Sequence, residues 1–156
     1  MRTLSKKTQY SLRALYALTR RFGQGPVLIA KMSEEEKIPQ QFLEQILLTL
    51  KQHGLVQSKK GKGGGYMLSK DPSTVTIGSV IRSMEGPLAP LPCASESAYR
   101  KCDECVDDRY CETKLIMREV RDATAGILDN ITLASACARV DDARAAQEPS
   151  EPMYHI

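Results

Sequence analysis

Gln40-Gln41-Phe42-Leu43-Glu44-Gln45-Ile46-Leu47-Leu48-Thr49-Leu50-Lys51-Gln52-His53-Gly54, running straight into Leu55-Val56-Gln57-Ser58-Lys59-Lys60-Gly61-Lys62-Gly63-Gly64-Gly65-Tyr66-Met67-Leu68-Ser69, is the stretch that decides the fold. Over residues 40–53, Phe42, Leu43, Ile46, Leu47 and Leu50 recur at helical spacing and predict one apolar stripe, with Gln40, Gln41, Glu44, Gln45 and Lys51 falling largely elsewhere. Pro39 suits the first turn of such a helix, where a missing N–H costs nothing, and Gly54 supplies its stop. Residues 55–58 and 66–69 are short strand-like runs around a flexible basic tip, which predicts a β-hairpin.

Working outward, residues 8–22 read as a helix with Leu12, Leu15, Leu18 and Phe22 at helical spacing and Tyr16 beside them, stopped by Gly23, Gly25 and Pro26. A second helical stretch covers residues 29–37. Three helices followed by a hairpin are the order of a winged helix-turn-helix. Residues 77–84 predict a short helix entered through Thr76 as a cap. Residues 86–111 lack periodicity, carry three prolines early on and four cysteines, and read as a loop. In a longer helix over residues 113–130, Ile116, Val120, Ala123, Ile127 and Ile131 form a seam that wants a partner helix. From Arg139 onward the chain is polar, with Pro149 and Pro152, and reads as a tail. The expected class is mainly α with a small β-hairpin: a winged helix-turn-helix plus a long dimerisation helix. Its expected parts are a winged helix-turn-helix domain (1–84), a cysteine-rich loop (85–112), a dimerisation helix with its following segment (113–138) and a flexible tail (139–156).

Composition narrows the classes. Of 156 residues, 42% are hydrophobic and 26% charged, which fits a soluble globular chain. No apolar run approaches the roughly 18 residues of a membrane span. No apolar segment follows the basic start, so a secretory signal is not visible and the cytoplasm is the expected compartment. The net charge of +3 conceals a split: residues 1–70 carry 13 Lys and Arg against 4 Asp and Glu, while residues 71–156 carry 9 against 15. A strongly basic half points to a polyanion. The only histidines are His53 and His155, no base-paired nucleophile is visible, and an enzyme is the weakest option.

The helix over residues 40–53 has the chemistry to read base edges. Gln40, Gln41 and Gln45 can donate and accept, as the adenine edge requires. Glu44 is repelled by phosphate and is tolerated against DNA only where it accepts from cytosine N4; an ordinary exposed helix residue is the competing reading. The wing tip Lys59, Lys60, Gly61, Lys62 and Gly63 suits backbone or minor-groove contact, lysines neutralising phosphate and glycines allowing close approach. It is not a P-loop, because Lys62 is followed by Gly63 rather than by Ser or Thr. Arg2, Lys6 and Lys7 add candidate phosphate contacts, with no acidic residue before Glu34.

Cys93, Cys102, Cys105 and Cys111 lie in a Cys-x8-Cys-x2-Cys-x5-Cys pattern that points to a metal or redox role, whereas Cys137 sits in an Ala-rich stretch as a structural thiol. Zinc would take four thiolates tetrahedrally, yet the second half of a zinc ribbon is missing; an iron–sulfur cluster accepts irregular spacing. Residue chemistry leaves the two metals open.

Met1-Arg2, Ser5-Lys6, Tyr10, Phe42-Leu43-Glu44-Gln45, Gly54-Leu55-Val56, Gly63-Gly64-Gly65-Tyr66, Ile77-Gly78-Ser79-Val80-Ile81, the cysteine loop and Asp129-Asn130-Ile131-Thr132-Leu133 fall in an order that resembles the Rrf-type bacterial regulators, whose iron–sulfur members are of the IscR, NsrR and RirA kind. The resemblance covers roughly residues 1–135. It implies a homodimeric winged-helix transcription factor on a palindromic operator, with a [2Fe-2S] or [4Fe-4S] cluster held in the loop, and a repressor as one mode of action. The chain departs from the family pattern in carrying Cys102 besides the three positions filled by Cys93, Cys105 and Cys111. Lys114 stands where IscR-like members have a histidine, and Thr8 and Gln9 stand where NsrR-like members offer a partner's acidic residue. Cys102 is therefore the candidate fourth ligand. The rival readings are the same DNA reader with structural zinc or bare sensing thiols, and a cluster carrier that docks an acidic protein.

Overall fold

The computed structural model describes residues 4–147, so Arg2 and the last nine residues of the expected tail lie outside the described residues. The order is α1 (Lys6–Arg20), α2 (Ile29–Glu36), α3 (Gln40–Gln52), β1 (Val56–Lys59), β2 (Gly65–Leu68), α4 (Ile77–Glu85), a 3-10 turn (Pro92–Ala94), α5 (Glu112–Leu128) and α6 (Leu133–Ala145). These six helices and one antiparallel hairpin make a winged helix-turn-helix with helices added behind it.

Ser5 caps α1, its Oγ accepting from the Thr8 N–H at 3.2 Å. The face that α1 buries is Thr8, Ser11, Ala14, Leu15, Ala17 and Leu18. Ser11 is satisfied inside that face by donating to the Lys7 carbonyl at 2.8 Å. Phe22 does not belong to it. The helix ends at Arg20, and Phe22, in the following turn, is 47% exposed.

Lys37, in the left-handed region at φ 51°, turns the chain between α2 and α3, and Ile38 drops into the core behind it. Leu43, Ile46, Leu47 and Leu50 of α3 are almost wholly buried, so truncating any of them should cost about 2–5 kcal/mol. Phe42 again departs from the expected stripe. A step of 100° along the helix puts it on the flank, 56% exposed, with its ring edge-on to Tyr10 at 6.4 Å.

The hairpin pairs Val56 with Leu68 through Lys59 with Gly65. Val27 adds a short third rung, exchanging two 2.8 Å hydrogen bonds with Tyr66. Gly65 is required at that crossing: its φ is +142°, and a Cβ would overlap the Val27 carbonyl.

Thr76 caps α4 as the sequence predicts, accepting from the Ser79 N–H at 3.1 Å. The backbone beside it meets the α5–α6 turn, with Ile77 N–H donating to Ile131 O and Leu133 N–H to Val75 O. Residues 139–145, read from sequence as the start of a tail, are helical. Thr132 and Ser135 form a reciprocal capping box, the alanines favour helix, and Leu133 and Cys137 bury against the body of the domain. Among the described residues a core cluster is built from α1 to α4, the hairpin, the segments that connect them and Leu133. α5 stands at its margin. Leu115, Ile116, Val120 and Ile127 are 36–62% exposed, and Ala123 is exposed with them.

Candidate nucleic-acid interface and cysteine loop

α3 buries one stripe and thereby turns Gln40, Gln41, Glu44 and Gln45 to solvent at its N-terminal half. Gln40 Nε2 donates to Glu44 Oε1 at 3.1 Å, so these two residues act as a pair on the exposed face. At the other end of α3, Lys51 Nζ donates to Ser58 Oγ at 2.6 Å and ties the helix to the root of the wing. Lys59, Lys60, Lys62 and Gly63 are exposed at the tip. Lys6 and Lys7 are exposed in the first turn of α1, which has no acidic residue of its own, while the Glu85 carboxylate accepts from the Ser5 N–H at the cap. Cations at a helix N-terminus oppose the macrodipole, so their placement is unfavourable for the helix and suits an external anion.

Among the cysteines, Cys93 is buried in the 3-10 turn, Cys105 and Cys111 are half-buried, and Cys102 is exposed; none is in a disulfide. Cys102 Sγ lies 3.6 Å from Cys93 Sγ, and this hydrogen bond, with burial and the nearby Cys93, Cys111 and Asp103 adding, pushes the Cys102 thiol up. Two thiolates on one tetrahedral ion with bonds of about 2.3 Å sit about 3.8 Å apart, a separation close to this hydrogen-bonded one; a disulfide needs about 2.05 Å. Cys102, Cys105 and Cys111 border a cavity of about 470 Å³ together with Glu104, Asp107, Tyr110 and Glu112. The donor set fits a thiolate-held metal or cluster by chemistry and by the Cys93–Cys102 spacing. The structure does not bring the set to closed ligation: among the described residues no three His, Cys, Asp or Glu side chains converge on one point.

Two cations of α5 fasten this loop. Lys114, only 7% exposed, donates to Asp108 Oδ2 at 2.6 Å and to the Asp108 carbonyl at 3.1 Å. Tyr99 donates its hydroxyl to the same Oδ2 at 2.7 Å, and the ammonium lies 5.1 Å from the Tyr99 ring centroid. The bond to Asp108 pushes the Tyr99 phenol up to about 12, while Lys114 and then Tyr99 pull the Asp108 carboxyl below the usual range. Two turns along the helix, Arg121 donates to the Ala94 carbonyl at 2.6 Å, beside Cys93. Sequence reasoning missed Tyr99, Asp108 and Arg121 in this role and noted Lys114 only as an unusual residue. The signal available was the pair of cations seven residues apart, on one helical face.

A family model for Rrf2, an iron-dependent transcriptional regulator, matches residues 4–139. The chain belongs to the Rrf2 family. A putative HTH-type transcriptional regulator, rrf2-like, from Rhodobacter capsulatus is 38% identical over 133 residues, covering 83% of this chain and 89% of that protein. Among solved structures, IscR of T. potens is similar with a TM-score of 0.72 and 31% identity, over 99% of this chain and 97% of that one. CymR, the global cysteine regulator of B. subtilis, gives 0.72 and 29%, over 89% and 98%. This Rrf2 protein is accordingly a winged-helix, DNA-binding transcriptional regulator and not an enzyme. Among the described residues no helix is long and apolar enough to cross a membrane.

Proposed function

We propose that this Rrf2-family chain is a cytoplasmic homodimeric regulator that binds a palindromic operator and senses redox, nitric oxide or iron–sulfur status through a cluster held by Cys93, Cys102, Cys105 and Cys111. The observation that supports the sensor part is the 3.6 Å Cys93–Cys102 spacing, which is close to that of two thiolates on one tetrahedral centre. When bound, a [2Fe-2S] or [4Fe-4S] cluster would supply a centre that oxidant, nitric oxide or iron starvation can remove.

The chain's own residues do the rest. Gln40, Gln41, Glu44 and Gln45 meet base edges, and Lys59, Lys60, Lys62, Gly63, Lys6 and Lys7, with Arg2, meet phosphates. The exposed seam of α5 meets a second copy, which sets the separation of the two reading heads. Lys114 and Arg121 join the loop to that same helix, so ordering or releasing the loop shifts the dimer helix. Half-sites repeat near one helical turn, about 34–36 Å, and a small rotation weakens simultaneous binding.

The test is anaerobic purification with absorbance, iron and sulfide assays, followed by operator selection on the loaded and stripped forms. Iron and sulfide in the purified protein, with different operator affinities for the two forms, support the reading. Zinc without iron or sulfide favours the second reading, structural zinc in the same four-thiolate site, which the sulfur spacing fits equally. A carrier that docks an acidic protein is separated by its partner: it would select no duplex. The Cys102→Ala variant decides that residue's part, since an unchanged cluster spectrum and loss rate would remove it from the ligand set.

A further inference from the structure

Lys114 is buried, charged and unrelated to either the core or the bases. A buried ion pair is a weak source of stability, because desolvation offsets most of the attraction. This one is also incomplete: Lys114 and Tyr99 both converge on Asp108 Oδ2, while Asp108 Oδ1 is buried without a hydrogen-bond partner among the described residues. An arrangement with so little to offer as stabilisation has a different use in its position. Asp108 sits three residues after Cys105 and three before Cys111, and Lys114 sits three after Cys111 on the first turn of α5. Tyr99 reaches in from the chain before Cys102. The three side chains thus bind together the segments that flank Cys102, Cys105 and Cys111.

We propose that Lys114, through Asp108 and Tyr99, is a positioning residue that pre-shapes the cysteine loop, holding Cys105 and Cys111 at the edge of their cavity before any metal or cluster binds. Lys114 is not a ligand: its ammonium has no lone pair to give and is committed to Asp108. Cys93 is held separately, by the Arg121 bond to the Ala94 carbonyl and by its own burial. The loop therefore has two fastenings, bridged by the Cys93–Cys102 contact, of which Lys114 serves the part nearer α5. The inference rests on the four-cysteine site proposed above, and its test is read without loading that site.

The experiment is pulsed iodoacetamide labelling of the reduced, metal-free full-length protein, with the rate at each cysteine read by peptide mass spectrometry. Lys114→Met should raise the rates at Cys105 and Cys111 by about tenfold, the scale of losing a hydrogen bond to a charged group. Tyr99→Phe, which removes one hydroxyl and leaves the fold intact, should raise them in the same direction by a smaller factor. Cys93 and Cys137 should keep their wild-type rates; Cys137 packs against Tyr16 in the body of the domain and reports general loosening. Unchanged rates at Cys105 and Cys111, or a rise shared equally by Cys137, would overturn the proposal. A parallel cobalt titration reads the thiolate charge-transfer band. Lys114→Met should weaken cobalt binding by about 10–100-fold, the usual cost of losing an outer partner, with the band position kept. No thiolate band even in the wild type would sink the metal reading, and the labelling rates would still decide the clamp.

Discussion

Arg82 and Asp129 meet through two hydrogen bonds, Nη1 to Oδ1 at 2.6 Å and Nη2 to Oδ2 at 2.8 Å. They join α4, the helix that follows the wing, to the C-terminal cap of α5. Both side chains are two-fifths exposed, so solvent screening keeps the pair's value at about 1 kcal/mol or less. Asp129→Asn should lower the Tm by roughly 2–4 °C. The pH dependence follows from the Asp129 carboxyl being held below its usual value by Arg82. Its stabilisation is complete above the unfolded value of about 3.9 and is lost as pH falls through the lower folded value. Melting curves of the wild type and the variant should therefore converge in acid.

Gly78 faces that pair from inside α4, and a Cβ there would overlap Asp129 Oδ1. Ordinary helix preference says that Gly78→Ala stabilises by about 1 kcal/mol. The contact sets against that gain the displacement of the Arg82–Asp129 pair, worth about 1 kcal/mol or less, so Gly78→Ala should leave stability in urea unfolding close to that of the wild type instead of raising it by the full amount.

The wing and α3 should separate by salt. Replacing Lys59, Lys60 and Lys62 with alanine should flatten the log–log salt dependence of DNA binding by about 0.9 for each lysine that meets phosphate, with sequence preference retained. Glu44→Ala should instead relax discrimination at one base pair by about 1–3 kcal/mol and leave the salt slope unreduced. Binding isotherms at several salt concentrations on the selected operator and its single-base variants check both.

The α5 seam should behave as an interface. Ile127 is 62% exposed in the single chain, so Ile127→Asp costs the isolated fold little. Sedimentation should shift from dimer toward monomer, and affinity for a two-site duplex should fall toward that for a single half-site.

Much of this architecture was legible because local signals agreed: the Leu43–Ile46–Leu47–Leu50 stripe, the Thr76 cap and the glycine-rich wing each say one thing. Phe22 and Phe42 misled because hydrophobicity alone does not distinguish a helix's centre line from its flank or its exit turn. α6 escaped because its buried contribution is small, Leu133 and Cys137, and its start depends on the Thr132–Ser135 capping box rather than on a stripe. In the site, residue types and charge were readable. The Lys114–Asp108–Tyr99 clamp was not, since it joins residues through a loop without periodicity.

The most direct test of the account is operator affinity measured anaerobically on one preparation, first with its iron and sulfide in place and then after their removal with the thiols kept reduced. The account predicts iron and sulfide in the starting protein and a change in affinity of about 5–150-fold between the two forms, the usual range of coupling between distant sites. Protein purified without air that contains no iron or sulfide, and that binds the operator identically whatever the state of its four loop cysteines, would contradict it.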